Sequence, residues 1–212
     1  PQCANGHGLD PPHPESQFLD DGRFHGNWQD WSLGVAYSKA VAGYFLTPSL
    51  TVYLPSHDYA FFANAAVGQR LWKVEPAIEL AHQFDFTNIY YRIQYGYVVA
   101  ERTLGTSVNH HRFNVELGYF INPDLSLRVF TLGKIGNGYK VKDLVPQTQG
   151  FTNELWYVHD RVSAHNYAAA GLGADYRLND RYTLSASAHR LYWGQTVFDF
   201  QYTYDLRLIR SF

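Results

Sequence analysis

The chain has 212 residues and a formal charge of −2, with 17 Lys and Arg against 19 Asp and Glu, which suits one domain and excludes a nucleic-acid partner. A single cysteine excludes an internal disulfide, and no apolar run reaches the roughly 18 residues that a membrane-spanning helix needs. Charged residues are 17% of the chain and aromatics another 17%, a low-charge, aromatic-rich balance that instead suits a barrel whose lipid-facing and interior side chains alternate.

Residues 1–27 are rich in Pro, Gly, Asp and His and carry no periodicity, so they read as an irregular tail, periplasmic if a membrane barrel follows. Within it, Cys3-Ala4-Asn5-Gly6-His7 resembles a haem-attachment site in which Gly6 stands for the second cysteine. Cys3, His7 and His13 do not make a closed four-ligand metal set, so no cofactor and no metal is expected.

From Trp28 onward the residues alternate with period two, the strand signal. Trp31, Leu33, Val35 and Tyr37 begin it. Leu50, Val52 and Leu54 follow, with Pro48 expected to bulge or delay that strand. Residues 59–67 form a third run, apolar on both faces. Ile78, Leu80 and Phe84 then oppose Glu75, Glu79, Gln83 and Asp85, and Thr87-Asn88 reads as a tight turn. Ile89 to Tyr97 oppose Arg92 and Gln94; Phe113 to Tyr119 oppose Arg112, Asn114 and Glu116. Asn122-Pro123-Asp124 turns the chain into Leu125, Leu127 and Val129 against Ser126 and Arg128. A long segment, 136–163, breaks the rhythm. Ala170 to Tyr176 resume it against Asp175 and Arg177, and Asn179-Asp180 leads into Tyr182 to Ala188 against Ser185, Ser187 and His189.

The last stretch, Val197 to Phe212, alternates for more than ten residues, longer than the usual five or six of a strand but right for a tilted membrane-spanning one. Tyr204, Leu206, Leu208 and the final Phe212 resemble the signal read by the barrel-assembly machinery of the outer membrane. The expected fold is therefore all-β: a transmembrane antiparallel up-and-down barrel over residues 28–212. It has about ten strands, or twelve if part of the tail or the long loop pairs. Counting back from Phe212 puts the turns at 179–180, 122–123, 87–88 and 56–57 on the periplasmic side with both termini, and the segments 102–109 and 136–163 outside.

A soluble barrel or sandwich would show the same period with its apolar face inward. Gly, Ser and Ala beside single charges on the polar face favour a crowded polar lumen, which places the chain in the bacterial outer membrane with lipid around it. The expected lumen-lining residues are Glu79, Asp85, Arg92, Arg112, Glu116, Arg128, Asp175, Arg177, Asp205 and Arg207. Charges of both signs there either pair and plug a small barrel or select solutes in a conduit. His110, His111, His159 and Asp160 fall near the external rim. Ser187 and His189 share a face as a nucleophile and base would, but no Gly-x-Ser-x-Gly elbow accompanies them, so no catalytic residue is assigned.

Ala65-Ala66-Val67-Gly68 with Leu71-Trp72, the run Trp156-Tyr157-Val158-His159-Asp160 through Asn166-Tyr167 and Leu172 to Leu178, and Arg190-Leu191-Tyr192-Trp193-Gly194 carry a resemblance. Together they are similar to barrels of the phenol meta-pathway degradation transporter type, over the C-terminal third and one earlier hairpin. The resemblance implies an outer-membrane protein for uptake of small organic compounds and supplies no binding residues. The first expectation is thus a passive channel for small, hydrophobic or aromatic molecules. Its competitors are a closed barrel docking a periplasmic or surface protein through 1–27 or 136–163, and an outer-membrane enzyme hydrolysing lipid or peptide.

Overall fold

The computed structural model describes residues 28–58, 69–140, 159–195 and 202–210. They form one antiparallel sheet of ten strands: β1 (Trp31–Ala36), β2 (Lys39–Val41), β3 (Tyr44–Leu54), β4 (Lys73–Gln83), β5 (Ile89–Ala100), β6 (His110–Asn122), β7 (Leu125–Gly136), β8 (Asn166–Arg177), β9 (Tyr182–Gln195) and β10 (Thr203–Arg210). From β3 to β10 each strand pairs with the next in sequence, the up-and-down order expected, and β1 and β2 both pair with β3. The sheet curls into an incomplete barrel wall. One turn of helix, α1 (His159–Val162), precedes β8.

Tight turns close one rim through local side-chain chemistry. The Asn122 side-chain oxygen accepts from the Asp124 and Leu125 amides, each at 2.9 Å, and Asn179 does the same for Arg181 and Tyr182 at 2.9 and 3.1 Å. Thr87 donates its hydroxyl to the Phe84 carbonyl at 2.9 Å and accepts from the Ile89 amide at 3.2 Å. Ala42 and Gly43 both take positive φ, 51° and 85°, the geometry whose twist matches a two-residue hairpin. At the opposite rim the strand ends lead into the longer connections 55–72, 101–109, 137–165 and 196–202.

Pro48 acts on its neighbour rather than on its own strand. β3 runs straight through it, while β1 and β2 share one register against β3 and are parted at Tyr37-Ser38, opposite Pro48. Tyr37 N donates to the Pro48 carbonyl at 3.1 Å, but proline has no N–H to return. β1 and β2 are therefore one interrupted crossing of the sheet.

Three expectations change. Residues 59–67 lie outside the described residues, and no strand separates β3 from β4, which pair directly from Phe45↔Ala81 to Tyr53↔Lys73. Ser56-His57 consequently sits on the rim of the long connections, not with the tight turns. Trp31 enters the sheet at that rim and Arg210 leaves it at the other, so the described chain does not begin and end on one side. The tail 1–27, with Cys3, His7 and His13, and the terminal Phe212 lie outside the described residues.

Burial is inverted relative to a soluble domain. On the convex face Leu33, Leu172 and Leu206 are 75, 66 and 74% exposed, in company with Ile78, Ile93, Val115, Leu127, Val129 and Tyr204. On the concave face Glu116 is 3% exposed and Glu75 8%. The small apolar core lies at the rim of the long connections, where Leu71, Ala100 and Val108 cluster and Val98, Val162, Ala164 and Ala169 are also buried.

Candidate functional site

Strand register puts one residue of every cross-strand pair on the same face as its partner, so the concave face can be followed from strand to strand. Glu79 lies opposite Gln94, Arg92 opposite Glu116, Glu116 opposite Phe130, Arg128 opposite Gly173 and Asp175 opposite Ser185. The side chains reach diagonally along this row. Arg92 approaches Glu79 at 3.9 Å and Glu116 at 2.9 Å; Arg128 approaches Glu116 at 3.5 Å and pairs with Asp175. Arg128 also donates to the Ser185 hydroxyl at 3.1 Å, and the Tyr90 hydroxyl donates to Glu116 at 3.2 Å.

The result is a chain of alternating sign, Glu79–Arg92–Glu116–Arg128–Asp175, crossing five strands. Alternation is what a confined, poorly hydrated face requires, because each charge needs an opposite neighbour to offset its lost hydration. Gly173 makes room for it: a Cβ there would come within 2.7 Å of the Arg128 guanidinium carbon.

A second cluster sits nearer the rim of the long connections. Arg112 donates to Glu75 at 2.8 Å and to the Tyr53 hydroxyl at 3.2 Å, while Tyr53 donates to Glu75 at 2.6 Å. Gly96 leaves the space for that carboxylate, since a Cβ there would meet it at 2.7 Å. At the other end of the wall Asp205 lies 3.5 Å from Arg207 and 3.8 Å from the His189 ring. Between these groups a concave pocket of about 430 Å³ is lined by Arg92, Asn114, Glu116, Phe130, Leu132 and Arg207, among others.

Eight of the ten expected residues thus share the concave face as one row or its flanks: Glu79, Arg92, Arg112, Glu116, Arg128, Asp175, Asp205 and Arg207. Asp85 does not. β4 ends at Gln83, and the Phe84 amide bonds the Ile89 carbonyl at 3.0 Å, which closes the hairpin and leaves Asp85 exposed in the turn. Arg177 ends β8 at the rim of the tight turns, where it pairs with Asp124 at 2.8 Å in an open setting. The polar-face reading of β4 included Glu75, but its carboxylate was not placed in the expected set. Asp124, Tyr53, Tyr90 and Lys134 were also missed there.

The histidines do not gather. His110 faces inward and its Nδ1 donates to the Val108 carbonyl at 2.8 Å; His111 faces outward, 2.7 Å from the Tyr95 hydroxyl. His159 and Asp160 open α1. Ser187 and His189 both line the pocket, and His189 is edge-on to Phe130 with ring centres 6.1 Å apart. Among the described residues Ser187 has no hydrogen bond to His189, and 3.8 Å is too long for one between His189 and Asp205.

A curled antiparallel wall, apolar outside and charged inside, defines the class: an up-and-down β-barrel of the outer-membrane type. Comparison with solved structures agrees. The chain is similar to an outer membrane channel from Pseudomonas putida F1, with a TM-score of 0.58 and 11% identity over 86% of this chain and 64% of that one. The chain therefore spans under two thirds of that channel's length. The likeness is one of fold, and it returns the kind of barrel that the sequence resemblance implied. No family model and no curated protein matches the chain.

Proposed function

We propose that the protein forms part or all of a passive channel in the bacterial outer membrane, through which small organic molecules cross. The observation that supports this most is the inverted burial: Leu, Ile, Val and Tyr side chains cover the convex face while Glu116 and Glu75 are enclosed. Exposed apolar surface on that scale has a stable environment in hydrocarbon, and paired charges facing a central space keep a polar path. The likeness to an outer membrane channel supports the same reading. The pocket adds detail, since Phe130, Leu132 and Ile209 stand beside its charges and can pack against an apolar solute.

On this reading the sheet is surrounded by lipid, the barrel-assembly machinery inserts it through its C-terminal strand, and the rim of tight turns faces the periplasm. Tyr204, Leu206 and Leu208 of that strand all project outward, 77, 74 and 64% exposed. Purified protein in a planar bilayer is expected to give discrete conductance steps, and liposomes containing it are expected to swell in small sugars or amino acids. Failure to pass any solute overturns the channel reading and leaves the docking barrel, whose mark is a stoichiometric partner lost on deleting residues 1–27.

A further inference from the structure

The charges on the concave face are not distributed evenly, and the uneven part names a class of solute. Deep in the wall, acids and bases alternate and each has a partner. Towards the rim of the long connections they do not. Lys134 lies directly across from Arg112 on the same face, two like charges in register. Such a pair is unfavourable unless something negative comes between them. Lys73, on β4, adds a third cation to this face, directly across from Tyr53, whose hydroxyl accepts from Arg112 at 3.2 Å.

The acids at hand do not balance the three cations. Glu75 is engaged by Arg112 at 2.8 Å, and Asp30 acts on Lys73. Among the described residues Lys134 has no hydrogen bond and no ion pair, although it is half-buried inside the wall. Among the described residues, three positive charges stand against two negative ones, which leaves one in excess. One monovalent anion neutralises it.

The same cluster adjoins the pocket, one step along the concave face towards the rim of the long connections. On β7, Lys134 is followed on the concave face by Leu132 and then Phe130; on β6, Arg112 is followed by Asn114; and Leu132, Phe130 and Asn114 all line the pocket. The Asn114 side-chain oxygen is buried and unpaired. A solute entering from this rim meets cations first, then a space of about 430 Å³ in which Leu132, Phe130 and Asn114 stand beside the paired charges of the row.

We infer that Lys134, Arg112 and Lys73 form a binding site for the carboxylate of a small organic monoacid, whose apolar body occupies the space beside Leu132 and Phe130. This deepens the channel reading and rests on it. The single excess positive charge draws such acids to this end of the concave face in preference to neutral solutes of the same shape.

The test uses the full chain in proteoliposomes, with benzoate and its neutral analogue benzamide as probes and inorganic phosphate as a third. The wild type is expected to admit benzoate in preference to benzamide, and Lys134→Gln to reduce the benzoate-to-benzamide ratio about tenfold. Lys134→Arg keeps the charge and is expected to keep the ratio, so a loss shared by both variants counts against the inference. A ratio indifferent to Lys134→Gln overturns it, as does a stronger preference for phosphate than for benzoate. In each of those cases continued passage of benzamide leaves the channel reading standing, whereas loss of all passage in the wild type removes both.

Discussion

Glu116 holds the charged row together. Its carboxylate is 3% exposed and touches both Arg92 and Arg128, so removing it strands two guanidinium groups at once. Breaking a buried pair from one side costs about 3–5 kcal/mol, because the remaining charge keeps its desolvation and loses its partner. Arg92 is 38% exposed, which lets water take over part of that role. Glu116→Ala is accordingly expected to destabilise the fold by about 3 kcal/mol. Asp124→Ala is the contrast. Its pair with Arg177 is half exposed on both sides and is worth about 0–1 kcal/mol. Urea unfolding in lipid vesicles, followed by tryptophan fluorescence, measures both; equal losses would mean that the row is no more enclosed than the rim. Sequence alternation identified Glu116, Arg92 and Arg128 because charge on every second residue shows directly as a face. It misplaced Asp85 because the alternation runs on past Gln83 into the turn, where the side-chain period no longer marks a face. Lys134 escaped because the β7 reading stopped at Val129, five residues short of it, and the long segment began only at 136. The opposition of Lys134 to Arg112 exists only in the register, which one chain segment cannot reveal.

At the scale of the strand, the question is what the convex face meets. Val129 lies in the middle of β7, 50% exposed, between Leu117 on β6 and Leu172 on β8. In water an arginine there would be harmless, since its neighbours are exposed already. In hydrocarbon it carries a charge to mid-depth, at about 2–4 kcal/mol. Val129→Arg is therefore expected to lower stability in vesicles by that amount, while an arginine at Asp180, in the turn, changes little. A neutral outcome for Val129→Arg would mean that the face is wet, and the membrane reading would fall. Strand positions were largely legible, because hairpins with Asn at their first turn position declare themselves. The N-terminal hairpin was not. Pro48 looked like the fault in its own strand, whereas the missing N–H leaves its partner unpaired and breaks β1 from β2 across the sheet. Residues 59–67 were apolar enough to read as a strand, yet β3 and β4 meet without one between them.

The described strands leave two edges, β1 and β10, and a membrane does not tolerate open ones, since hydrocarbon offers no partner to a bare amide. Direct pairing of those edges has the wrong sense. β1 with β2 makes one crossing, which gives nine among the described residues, and an odd number leaves both edge strands running from the rim of long connections to the rim of tight turns. Joined to each other they would form a parallel ladder in an otherwise antiparallel wall, whereas bacterial single-chain barrels close with an even count. The arrangement expected in lipid is one further strand, running the opposite way, between β10 and β1. Cysteine pairs test this. Leu184 and Leu208 are register partners on β9 and β10, so cysteines there fall within the Cα separation of about 4.4–6.8 Å that a disulfide needs. They are expected to cross-link on oxidation in vesicles. Cysteines at Leu33 or Val35 combined with one at Leu206 or Leu208 are expected not to, because an intervening strand sets the edges roughly 9–10 Å apart, two strand spacings. Efficient cross-linking of any such pair within one chain would show that β1 and β10 touch, and the wall would then close on a parallel seam.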